Sequence, residues 1–214
     1  MKKIALTSLV IMTALFLGSS FTSHFRSNRH ADGALTAEER KFAIDLYLKT
    51  KDRLLADIKG LSPAQLNFKA DTSRWSVFEC TEHIALSESL IWQWMQMTEK
   101  QPAAPEKKSE VKMTTDQMLA AMQDRSHKFK APTMLEPTGK FPDMETAVRA
   151  FVGRRDSTMA YLRTTQDDLH NHYANHPAFG TIDAFQGFIL LAGHCARHTA
   201  QLEEVKADPN FPKK

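Results

Sequence analysis

Apolar residues recur at helical spacing in four separate stretches of this chain, and two of those stretches open on a capping box. Thr36-Ala-Glu-Glu39 and Ser76-Val-Phe-Glu79 each place a hydroxyl, and three residues later a carboxylate, where they satisfy the free N–H groups of a helix start. Behind the first box, Ile44, Tyr47, Leu48, Leu54, Leu55 and Ile58 define a helix that Gly60 stops. Behind the second, Val77, Cys80, Ile84, Ile91 and Met95 carry a helix to about Lys100, with Trp75 placed as a hydrophobic staple. Asp143 can cap a third helix through Ala147, Ala150, Phe151, Met159 and Leu162. A fourth starts at Thr181 or Asp183, runs through Phe185, Phe188, Ile189, Leu191, Leu202 and Val205, and ends at Asp208-Pro209. Nothing alternates convincingly over a strand length, and Thr165 to Gly180 reads as a polar, His-rich, irregular connection. The pattern predicts an all-α fold, a four-helix bundle with a short extra helix over Thr115 to Phe129 and Pro-containing loops between helices 2 and 3.

The first residues have a different character. Lys2 and Lys3 precede the apolar run Ile4 to Gly18, with Ser19 and Ser20 behind it, which is the pattern of an export signal over residues 1–20. The run is shorter than the ~20 apolar residues that span a bilayer comfortably, so no stable membrane span is expected after cleavage. Residues 21–35 are polar and read as a flexible segment, leaving residues 36–212 as the bundle domain. Removal of Lys2 and Lys3 brings 28 basic against 25 acidic residues close to balance. No basic stripe with interleaved aromatics remains, which argues against a nucleic-acid partner. The mature protein is expected to be exported, periplasmic or extracellular.

The chemistry concentrates in histidine. His194-Cys-Ala-Arg-His198 sets two imidazoles one turn apart on one helix face, near enough to share a metal ion. Such spacing also arises by chance, but Leu191, Leu202 and Val205 on the same face turn the pair inward. His83 on the second helix would by itself read as a hydrogen-bonded core histidine; joined to the pair it completes three imidazoles, a ligand set that leaves coordination positions open. His170, His172 and His176 form a second cluster, read as a polar loop at the bundle mouth rather than as ligands. Glu79, one turn before His83, is the candidate general base or ligand orienter, in competition with its role in the capping box. Glu82 and Glu88 read as solvated or helix-pairing residues, and Arg197 as a carboxylate binder or a plain ion pair. Cys80 and Cys195 read first as ordinary buried residues and second as a helix–helix disulfide. Trp92 and Trp94 read as packing residues before pocket lining.

The segment Trp75-Ser-Val-Phe-Glu-Cys-Thr-Glu-His83-Ile, followed by Glu88, resembles the second-helix signature of the DinB-like (YfiT-related) superfamily of metal-dependent enzymes. Arg154, Phe179-Gly180 with Asp183, His194-xxx-His198 with Gln201 and Glu203-Glu204-Val205-Lys206, and the closing Asp208-Pro-Asn-Phe-Pro212 are similar to its second half. The resemblance implies a four-helix bundle with one divalent transition metal ion, zinc or nickel, held by His83, His194 and His198. It also implies a small-molecule substrate and a metal-dependent hydrolase or thiol transferase. Export disfavours the thiol version, because low-molecular-weight thiols are mainly cytosolic. The competing expectation is a non-catalytic exported metal- or ligand-binding stress protein. A homodimer is left open by the sequence.

Overall fold

The computed structural model describes residues 33–126 and 130–213. The expected signal peptide, most of the expected flexible segment, and His24, His30 and His127 lie outside the described residues. Four long helices form the bundle: α1 (Ala37–Ile58), α3 (Val77–Glu99), α5 (Met144–Thr164) and α6 (Ala184–Lys206). Both capping boxes form, at Thr36 with Glu39 and at Ser76 with Glu79, and Asp183 builds another with Gln186 at the start of α6. The short α2 (Pro63–Asn67) and α4 (Thr115–Gln123) fill the connections. No described helix is long and apolar enough to cross a membrane.

The packing order follows from the residue pairs that meet. Tyr47 with Phe188 and Arg53 with Glu203 make α1 and α6 parallel neighbours. Glu88 with Arg155 and Glu99 with Tyr161 do the same for α3 and α5. Thr50 with Arg155 and Arg40 with Leu162 run α1 against α5, while His83 opposite His194 runs α3 against α6. At the other end of that last pair, a Cβ on Gly187 would lie 1.8 Å from Met95 Sδ, so α6 approaches α3 across a residue without a side chain. Consecutive long helices α1 and α3 are therefore diagonal rather than adjacent. A chain leaving α3 must return along about 35 Å of its 23 residues before α5 can run parallel to it. That geometry accounts for the long connection carrying α4, whose Met118, Leu119 and Met122 are buried in the core beside α6.

The interior divides into two apolar halves joined by a polar layer. One half gathers Tyr47, Met95, Phe185 and Phe188; the other gathers Leu54, Ile84, Phe151, Leu202 and Val205. Between them Arg155, fully buried, donates to Thr50 Oγ1 at 3.1 Å and to Glu88, with its guanidinium 4.5 Å from the Tyr47 ring centroid. Glu82 and Glu88, expected to be solvated or helix-pairing, are each about 1% exposed. Helical spacing cannot distinguish a solvated carboxylate from one that meets its partner on another element, and here both find partners more than fifty residues away.

The connection before α6 also departs from expectation. Residues Tyr173–His176 (β1) and Gly180–Asp183 (β2) form an antiparallel hairpin, with Tyr173 opposite Asp183. Four-residue strands are too short to show alternation, and the hairpin is held at its base by Ala184 N–H donating to the His172 carbonyl at 2.9 Å. At the N-terminal side the described chain packs from Gly33 onward: its carbonyl accepts from Leu169 N–H at 3.1 Å, and Leu35 is buried. The extra helix ends at Gln123, short of the expected Phe129.

Candidate metal centre

His83 stands in the second turn of α3, and His194 and His198 occupy successive turns of α6. Because the two helices are antiparallel neighbours, the three imidazoles meet at one height in the bundle. One ring nitrogen from each lies within 4.8 Å of the other two, and His83 Nε2 is 3.1 Å from His194 Nε2. Ring centroids are 4.3 Å apart for His83 and His198 and 4.4 Å for His194 and His198. His83 is buried while the other two are half-buried, so the cluster has one closed and one more open side. Among the described residues, no Cys, Asp or Glu joins this group.

In two of the three rings the other nitrogen is committed. His83 Nδ1–H donates to the Leu135 carbonyl at 2.8 Å, and His198 Nδ1–H donates to Gln201 Oε1 at 2.8 Å. Those bonds select the tautomer that points Nε2, with its lone pair, toward the shared centre. Burial lowers the proton affinity of all three rings, and for His194 and His198 the neighbouring imidazoles lower it further. Neutral, oriented imidazoles are what a divalent borderline cation takes as ligands. The donor set fits such an ion: three ring nitrogens lie within 4.8 Å of one another, and two of the rings already hold their proton on the far nitrogen.

Trp75 forms a wall of the site, its ring centroid 4.7 Å from His83 and 5.9 Å from His198. The expected staple thus also touches two of the imidazoles, which a reading of the helix start alone does not reveal. Glu79 is occupied: one oxygen accepts Ser76 N–H at 2.8 Å and the other accepts Lys69 Nζ at 2.9 Å. Its competing capping role is the one the geometry displays. Cys80 and Cys195 are free and buried in the apolar half beside the site. Burial pushes both thiols upward, Cys195 to about 11. Arg197 donates to the Met122 and Asp124 carbonyls at 2.9 and 2.5 Å and so fastens the end of α4.

The second histidine cluster disperses. His170 is buried between Asp183 Oδ2 at 3.2 Å and Glu39 Oε1 at 3.1 Å, bridging the capping carboxylates of α6 and α1. His172 lines a cavity of about 270 Å³ with Gln96, Glu99, Lys100, Asp167 and Asp168. His176 stacks on Phe179 at 4.7 Å. Trp92 packs edge-on to Tyr161 at 5.2 Å, as a packing residue should.

A family model described as the DinB superfamily matches residues 46–202, a span that holds all three imidazoles. The chain belongs to the DinB superfamily. It is 28% identical over 150 residues to the uncharacterized protein YuaE of Bacillus subtilis (strain 168), covering 70% of this chain and 88% of that protein. Its fold is similar to that of YfiT from Bacillus subtilis, with a TM-score of 0.56 at 16% identity over 81% of this chain and 89% of that one. YfiT is described as a probable metal-dependent hydrolase with an unusual four-helix bundle topology. The DinB-type bundle expected from the helix signatures is the one observed, with a two-stranded hairpin added.

Proposed function

We propose that this DinB superfamily protein is a metal-dependent hydrolase acting on a small molecule, with one zinc or nickel ion held by His83, His194 and His198. The observation that carries the reading is the convergence of three imidazoles with no fourth Cys, Asp or Glu among the described residues. Three protein ligands leave positions for water and substrate, whereas a structural ion is closed by four. When bound, such an ion supplies Lewis acidity, polarising a substrate carbonyl and lowering the pKa of water or of a thiol. The chain's own residues do the rest. Leu135 and Gln201 orient two imidazoles, and Trp75 shields the cluster on one side. The description of YfiT supports the hydrolase class, and the Lys2-Lys3 leader with its apolar run supports export of the mature protein.

Elemental analysis of natively purified protein should give one transition metal per chain. His198→Ala should lose that metal while the helical circular dichroism persists, and full retention would refute the ligand assignment. A screen of esters, amides and thiol acceptors, with and without chelator, then separates the chemistries. Chelator-sensitive ester or amide cleavage supports hydrolysis; turnover only with an added thiol replaces it with thiol transfer. Metal binding without turnover favours the non-catalytic reading.

A further inference from the structure

His83 owes its orientation to a main-chain carbonyl on a loop, and that loop is gripped by the residue next to His83 in sequence. Leu135, whose carbonyl accepts His83 Nδ1–H at 2.8 Å, lies in a single 3-10 turn (Thr133–Leu135) of the connection between α4 and α5. A loop carbonyl is a poor anchor unless the loop is itself fixed. Two contacts fix this one. Lys140 Nζ donates back to the Met134 carbonyl at 2.5 Å, closing the segment on itself. Glu82 then takes both N–H groups of the returning segment, Lys140 N–H at 2.6 Å and Gly139 N–H at 3.3 Å.

We propose that Glu82 is a positioning residue for the metal centre: by clamping Gly139 and Lys140 it holds the 134–140 strap whose Leu135 carbonyl fixes the tautomer and direction of His83. The inference rests on the metal-site reading above for its functional consequence, although the clamp itself is independent of any ion. Its chemistry explains an otherwise costly feature. Glu82 is about 1% exposed, and a carboxylate is seldom buried so fully unless its oxygens have donors. Each oxygen receives one backbone N–H, so both ends of the carboxylate are spent on the strap. Glu82 and His83 are consecutive in α3 and point in different directions, one into the strap and one into the site. Any shift of the strap relative to α3 therefore breaks the Glu82 bonds and the His83 bond together. Gly139 is shaped for the same turn: its φ of +75° is a conformation that residues with a Cβ rarely adopt.

The test uses the full chain in two forms. In metal-free protein with ¹⁵N-labelled histidine, His83 should show the Nδ1–H tautomer, detected by long-range nitrogen–proton correlation. Glu82→Gln, which turns an amide NH2 toward one of the two N–H donors, should convert that signal to a tautomer mixture. Zinc affinity, measured by competition with a chromophoric chelator, should fall tenfold or more, the range usual for groups that orient a ligand. Gly139→Val strains the strap without touching α3, since nothing lies within 4 Å of a Cβ there, and should reproduce both effects. It also keeps the test alive if Glu82→Gln does not fold. A purely structural Glu82 would lower the melting temperature while leaving His83 in its tautomer and zinc affinity within twofold; that result overturns the proposal. Absence of zinc binding by the unaltered protein would overturn the metal reading instead, while the tautomer comparison would still decide the clamp.

Discussion

Raising the pH should loosen the end of the bundle where His170 joins two helix caps. Burial alone would strip this imidazole of its proton, but the Asp183 and Glu39 carboxylates outweigh burial and raise its pKa from the ordinary 6.5 to about 9. The folded chain therefore holds a proton that the unfolded chain releases between those values. The stabilisation is fully present below pH 6.5 and is lost as the pH climbs through 9. At about 1.4 kcal/mol per tenfold change in proton affinity, roughly 3 kcal/mol of folding stability is tied to that proton. Urea unfolding at steps between pH 6.5 and 9.5 should show this decline in the unaltered protein. His170→Gln lacks the titrating group and should be less stable at pH 6.5 but much flatter across the window. Glu88 and Glu99 are both raised to about 7, chiefly by burial, and add a decline of their own. They are present in both proteins, so the difference between the two pH profiles isolates His170. Parallel profiles would refute the reasoning, because they would mean that the histidine carries no differential charge across that range.

Two further outcomes follow from buried groups. Arg155→Met leaves the Glu88 carboxyl buried without its cation, and should cost about 3–5 kcal/mol in urea unfolding. Replacing Arg155 and Glu88 together with apolar residues should cost less than the sum of the single changes, and a single change costing under about 1 kcal/mol would count against the pairing. The thiols of Cys80 and Cys195, buried and raised in pKa, should resist an aromatic disulfide reagent at pH 8 in native protein and react fully in denaturant. Rapid native reaction would contradict their burial.

Local signals carried far in this chain because they act within one helical turn. A hydroxyl and a carboxylate three residues apart make a capping box wherever the helix lies, so the starts at Thr36 and Ser76 were readable without the fold. The same holds for His194 and His198, whose shared face is fixed by the helical period alone. The four-residue strands of the hairpin were too short to produce a period, and their pairing depends on what faces them. Glu88 reads from the sequence as solvated or helix-pairing, and its burial is not legible there because its partner Arg155 lies 67 residues away, a distance over which sequence spacing says nothing.

The four long helices with their starts, and two of the three imidazoles on one face, belong to the primary structure, since propensity, capping and period are properties of short segments. The meeting of His83 with that pair belongs to the tertiary structure. It requires α3 and α6 to run antiparallel as neighbours, and helical spacing is the same whichever helix lies alongside. The partners of His170, Glu82 and Leu135 are decided in the same way. Each is defined by a partner on another element, and only the packing of the bundle brings those partners within hydrogen-bonding distance.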